Sequence, residues 1–247
     1  MKFQKIRIIR FGVQFALLVL IITGAFKQVD AGMIIASGDA TPAFYAADPD
    51  NNVFFTNVLG SGNSVIIHDQ NNPTMGNKIN TFFNSLSGVT SDLFENETVT
   101  SSMLSGVDLF VTSLNTDQLA VTEIDVLDIF LDDGGTVLFM GDYVNPETRI
   151  NNALAGLGSA MRLDGILSAA GTYFAGVDSD PLTSGVSSFT YGYTYGVTGG
   201  TSLFRDENNR TFMAYEGTTS SVPEPSTLIL MGVGLITLLI KRKRSII

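Results

Sequence analysis

The stretch NTDQLAVTEIDVLDIFLDDGGTVLFMGDY, residues 115–143, holds a whole helix and the strand that follows it, and its reading decides the fold. Ala120, Ile124, Leu127 and Leu131 recur at helical spacing and predict one core-facing stripe. Asn115, with Gln118 three residues on, predicts a boxed helix start, and Gly134-Gly135 predicts the stop. Residues 136–140 (TVLFM) then run apolar without alternation, the pattern of a strand covered on both faces.

Outward from this unit the same pattern repeats. Residues 33–37 (MIIAS), 64–68 (SVIIH) and 107–113 (VDLFVTS) read as buried strands. Residues 50–60 (DNNVFFTNVLG), 74–88 (TMGNKINTFFNSLSG) and 151–158 (NNALAGLG) read as helices closed by glycine. Strand and helix in alternation imply βαβ crossovers, hence an α/β fold with a doubly wound, mostly parallel sheet. After Gly158 the texture turns to Gly, Ser, Thr and Tyr, and residues 202–206 and 210–216 read as a hairpin. That part carries too little apolar material for its own core, so it is expected to add antiparallel strands to the same sheet.

Both chain ends are of different composition. Lys2, Lys5, Arg7 and Arg10 precede the apolar run FGVQFALLVLIITGAF, and Val29-Asp30-Ala31 places small residues where signal peptidase cuts, so residues 1–31 read as a signal peptide ending at Ala31. The run is short of the roughly 20 residues that a spanning helix needs. At the other end, residues 228–240 are uninterrupted by charge and Lys241, Arg242, Lys243 and Arg244 follow at once, which predicts a short transmembrane segment and a basic cytoplasmic tail over 241–247. The expected organisation is completed by an α/β domain over 32–216 and a linker over 217–227.

Between those ends, residues 32–221 hold five basic residues against 22 acids, a balance of −17. Such a surface repels phosphate backbones and excludes nucleic acid as a natural partner. The chain has no cysteine, which removes disulfides, thiolate metal sites and cysteine nucleophiles together.

Val222, Pro223, Glu224, Pro225 and Ser226, the Leu/Gly-rich run and the basic block resemble the PEP-CTERM sorting signal of Gram-negative bacteria. The resemblance covers about the last 26 residues and implies export, a transient inner-membrane anchor, recognition by an exosortase and release to the cell surface or matrix. It names a route and no activity. The body, mainly GVDLFVTS, TEIDVLDIFL, the glycine pair, TVLFMGDY and NNALAGLG, resembles exported members of the class I glutamine amidotransferase-like, flavodoxin-like superfamily. That superfamily's enzymes act through a cysteine which this chain lacks, so their chemistry does not carry over.

Ligands of doubly wound sheets sit beyond the carboxyl ends of the strands. Asp39, His68, Asp69 and Asp142 fall at those ends and are the candidates for acid–base work. Asp at such ends more commonly caps turns and helices. Residues 48–52 (DPDNN) and 178–180 (DSD) supply oxygen ligands of the kind calcium takes, the one cofactor the sequence leaves open, although neither has an EF-hand pattern and turn formation is the commoner role. Tyr191, Tyr193 and Tyr195 at period two predict three rings on one strand face, suited to stacking on sugars or to packing in the core. The function expected from these readings is structural or binding, in surface polysaccharide or biofilm matrix. The rival is an envelope hydrolase using His68 with Asp39, Asp69 or Asp142.

Overall fold

A computed structural model describes residues 32–70, 73–141, 146–168 and 171–217. The apolar runs become β1 (Met33–Ser37), β2 (Ser64–Asp69), β4 (Leu109–Ser113) and β5 (Thr136–Met140), with β3 (Thr90–Glu95) between β2 and β4 in the chain. The helices among them are α1 (Thr41–Phe44), α2 (Pro49–Leu59), α3 (Pro73–Ser85), α4 (Val121–Asp132) and α5 (Pro146–Gly156). The later half supplies β6 (Arg162–Ser168), β7 (Tyr173–Val177), β8 (Phe189–Tyr191), β9 (Thr194–Thr198), β10 (Thr201–Arg205) and β11 (Thr211–Gly217). The signal peptide with Ala31, Asp142, the sorting motif, the apolar segment 228–240 and the basic tail lie outside the described residues. No helix among the described residues is long and apolar enough to cross a membrane.

One nine-stranded mixed sheet runs β3-β2-β4-β5-β1-β11-β10-β7-β8. The pairings from β3 to β1 are parallel and those from β1 to β8 antiparallel, so the sheet divides evenly. The parallel half has an instructive order. Counted from β2, it follows the flavodoxin-like sequence 2-1-3-4-5, but the chain's first strand stands in the fifth place. β1 therefore joins β5 on one side and the final strand β11 on the other, with Met33 opposite Gly217.

Apolar side chains cover both faces. Ile35, Val65, Ile67, Val111 and Leu138 point to the side packed by Phe54, Phe55 and Val58 of α2 and Met75, Ile79 and Phe83 of α3. Ile34, Ile66, Phe110, Val137 and Phe139 point to the other, under Leu127 and Leu131 of α4 and Ile150 and Leu154 of α5. β6 and β9 form a separate two-stranded ladder, and its Leu163, Tyr195 and Val197 join this second core. The later half is thus split between the main sheet and a ladder lying over it, where the sequence predicts additions to one sheet.

Helix α4 begins later than the Asn115–Gln118 pattern predicts. Its start is set by Glu123, whose carboxylate accepts from Ala120 N at 2.8 Å and from Val99 N at 2.8 Å. Gln118 turns away and accepts from Asn152 Nδ2 of α5 at 3.0 Å, and Ala120 is exposed. At the helix end Gly134 takes φ 91°, a left-handed conformation that glycine adopts without strain.

The outer strands share one device. Asn84 of α3 donates to Ser91 O at 2.8 Å and accepts from Ser91 N at 3.0 Å on β3. Asn51 of α2 donates to Thr190 O at 3.2 Å and accepts from Thr190 N at 2.9 Å on β8. Asn151 of α5 donates to Leu163 O at 3.0 Å and accepts from Leu163 N at 2.7 Å on β6. In each case a side-chain amide engages both backbone groups of a single strand residue, as the peptide of a neighbouring strand would.

Candidate functional site

The carboxyl ends of the parallel strands were the expected crevice, and the strand order decides what can meet there. β1 and β2 are separated by β5 and β4, three strand spacings or roughly 14 Å, so Asp39 and His68 do not converge. Asp69 follows His68 directly in one strand, and alternation sends the two side chains to opposite faces. The rival catalytic constellation is therefore not assembled by the described residues.

The three candidates among the described residues each have structural partners, and Asp142 lies outside those residues. His68 is fully buried, with Nδ1 at 3.0 Å from Thr112 Oγ1 and Nε2 at 2.8 Å from Glu97 O, and its ring stacks on Phe110. Both ring nitrogens are engaged, which pins the loop after β3 onto the second core. Asp69 lies on the opposite face, accepts from Ser113 Oγ at 3.1 Å and sits against Gly76 of α3. Asp39 accepts from Thr41 N at 2.7 Å and from Gly192 N, so one carboxylate fixes the start of α1 and the link between β8 and β9. Gly38, just before it, is needed as glycine because a Cβ there would stand 2.0 Å from Tyr195 O.

Around the point where β2 and β4 diverge, the loops are tied to each other. Gln70 Oε1 accepts from Asp117 N at 3.1 Å, and Gln70 N donates to Ser113 O at 3.4 Å. Beside this bridge a shallow cleft of about 400 Å³ is lined by Thr116, Asp117, Gln118, Thr148 and Arg149. Arg149 Nη1 donates to Leu114 O at 3.3 Å and also to Asn115 O, which holds its guanidinium down on the β4 loop. A second cleft of about 590 Å³ follows α3 and includes Lys78, the body's lone lysine, with Thr74, Asn77, Thr81 and Phe82. The sequence reading missed both clefts, since neither carries a motif.

The tyrosine ladder is not formed. Gly192 and Tyr193 separate β8 from β9, which belong to different sheets, so the period-two spacing is broken by a bend. Tyr191 is buried in the first core, stacked on Phe212 at 4.5 Å, whereas Tyr195 is buried in the second. Burial, joined by hydrogen bonding to Glu207, raises Tyr191 well above the ordinary tyrosine value. Tyr195 is pushed up to about 12 by burial and by its contact with Tyr193. Tyr191 and Tyr195 thus stand in the two cores, and Tyr193 is half-buried against the second.

The two oxygen-rich loops are likewise used internally. Asp178 takes the guanidinium of Arg205 at 2.8 Å, Asp180 accepts from Leu182 N at 2.9 Å and Tyr215 Oη at 2.9 Å, and Asp50 accepts from Ser187 N at 3.1 Å. Among the described residues no group of three or more His, Asp or Glu converges to hold a metal ion.

No curated protein and no solved structure matches the chain. Residues 221–244 match the PEP-CTERM protein-sorting motif. The identified signal is thus one of export and of processing by an exosortase at the membrane, and the resemblance of the body to amidotransferase-like proteins gains no support from a homologue.

Proposed function

We propose that this chain is an exported envelope protein of a Gram-negative bacterium whose α/β body acts by binding or as structure within surface polysaccharide or biofilm matrix. The observation that carries the reading is the sorting motif over 221–244. In this reading signal peptidase cuts after Ala31, residues 228–240 hold the C-terminus in the membrane for a time, and an exosortase releases the body. The strongly acidic body suits a matrix in which divalent cations or basic polymers bridge anionic surfaces. The permuted strand order of the parallel half supports a flavodoxin-like origin, while the missing cysteine removes that superfamily's amidotransferase chemistry.

Mass spectrometry of the protein recovered from its own host tests the route. The expected result is a surface or matrix fraction that begins at Gly32 and lacks Lys241–Arg244. An intact Ile247 on every copy would overturn the processing step.

A further inference from the structure

An exposed sheet edge is a row of open N–H and C=O groups that can pair with another chain. Both outer strands of the main sheet, and the outer strand of the small ladder, carry an asparagine amide where a neighbouring strand would bond. From this triple recurrence we infer that Asn51, Asn84 and Asn151 are blocking residues that deny the sheet edges to a second copy of this chain.

The arrangement differs at each edge in ways that agree with one purpose. β8 has only three residues, and its central Thr190 has both backbone groups engaged by Asn51. β3 is longer, with six residues, and here the exposed carboxylates of Asp92 and Glu95 accompany the block at Ser91. A second copy brought alongside would set its own acids against them, which disfavours pairing between like strands. On β6 the block at Leu163 sits next to Asp164. The asparagines reach these edges from three different helices, α2, α3 and α5, so the pattern does not arise from one repeated loop. An exported protein that accumulates at a surface meets its own copies at high concentration, and blocked edges keep those encounters from growing into sheets. This inference concerns the body's own edges and does not rest on the proposed matrix role.

The cysteine-free sequence allows a direct test. Asp92→Cys places one thiol on the outer strand β3, and disulfide-linked dimer of the full chain under mild oxidation reports edge-to-edge approach. The expected result is little dimer with Asp92→Cys alone and at least a tenfold rise when Asn84→Ala is added, with no rise for Asp128→Cys on the exposed face of α4. Far-UV circular dichroism verifies folding. Asn84 is itself exposed, and should the alanine variant still unfold, Asn84→Asp keeps an acceptor for Ser91 N, loses the donor to Ser91 O, and carries the same comparison. Equal dimer yield with and without the Asn84 change, in folded protein, would overturn the inference. So would a wild-type background in which Asp92→Cys already cross-links fully.

Discussion

Replacing Asn51 with alanine removes a fully buried amide that serves three backbone groups. Nδ2 donates to Thr190 O and Pro42 O at 3.2 Å each, and Oδ1 accepts from Thr190 N at 2.9 Å. An orphaned buried group costs about 1–3 kcal/mol, and two, Thr190 N and Thr190 O, lose their partner together, while Pro42 O keeps Tyr45 N at 3.2 Å. Against this, the fold no longer has to strip water from the amide itself, which returns about 2 kcal/mol. The expected net loss is about 2 kcal/mol, or about 6 °C in Tm for a domain of this size. Thermal unfolding of the full chain followed by circular dichroism measures it, with Asn77→Ala as the control. Asn77 is exposed and bonds only its own helix at Pro73 O, so its loss is expected to stay within about 0.5 kcal/mol. Hydrogen exchange adds a local readout, since the Thr190 amide should lose protection in Asn51→Ala. A loss under about 1 kcal/mol with Thr190 still protected would refute the account, because it would mean that water or a shifted helix satisfies these groups at little cost.

Three further outcomes follow from the same geometry. His68→Leu orphans Thr112 Oγ1 and Glu97 O and is expected to cost about 2 kcal/mol in denaturant unfolding, while an unchanged midpoint would deny His68 its structural role. Burial opposes ionisation of Asp206, but the hydrogen bonds and charge of Arg210 outweigh it and hold the carboxyl below its ordinary value of 3.8. The stability it contributes is therefore present above pH 3.8 and is lost as pH falls through the folded value, so Asp206→Asn should be less stable near neutrality and flatter on the acid side. Tyr195, raised from 10.0 to about 12, contributes stability that is present below pH 10.0 and lost as pH rises towards 12, and Tyr195→Phe should weaken the alkaline fall in Tm over that window.

The local elements were legible where burial writes a simple pattern. MIIAS, SVIIH, LFVTS and TVLFM are covered on both faces, so each reads as an apolar run. β3 escaped because it lies at an edge. Its TSDLFE keeps only Ser91 buried, and no apolar run or clean alternation betrays it. Sheet order was not legible at all, since nothing in residues 33–37 says that they will pair with residues 136–140 and 211–217. That gap carried into the site. His68 and Asp39 both sit at strand ends as expected, but only the order places β4 and β5 between them. The tyrosine spacing misled for a local reason, the break at Gly192 and the bend at Tyr193, which turn a period of two into two separate strands. The edge asparagines gave no signal because their partners lie 7, 12 and 139 residues away.

The last strand among the described residues is the one that joins the two halves of the main sheet. β11 pairs with β1 on one side and β10 on the other, so no native seam exists until residues 211–217 have arrived. A body threaded across a membrane from its N-terminus would deliver this keystone after every other described strand, leaving the main sheet open until residues 211–217 have passed. The same placement sets a narrow tolerance for any protease at the C-terminus. A cut beyond Gly217 leaves all nine described strands of the main sheet in place, while a cut before Thr211 would remove the seam and part the parallel strands from the antiparallel ones.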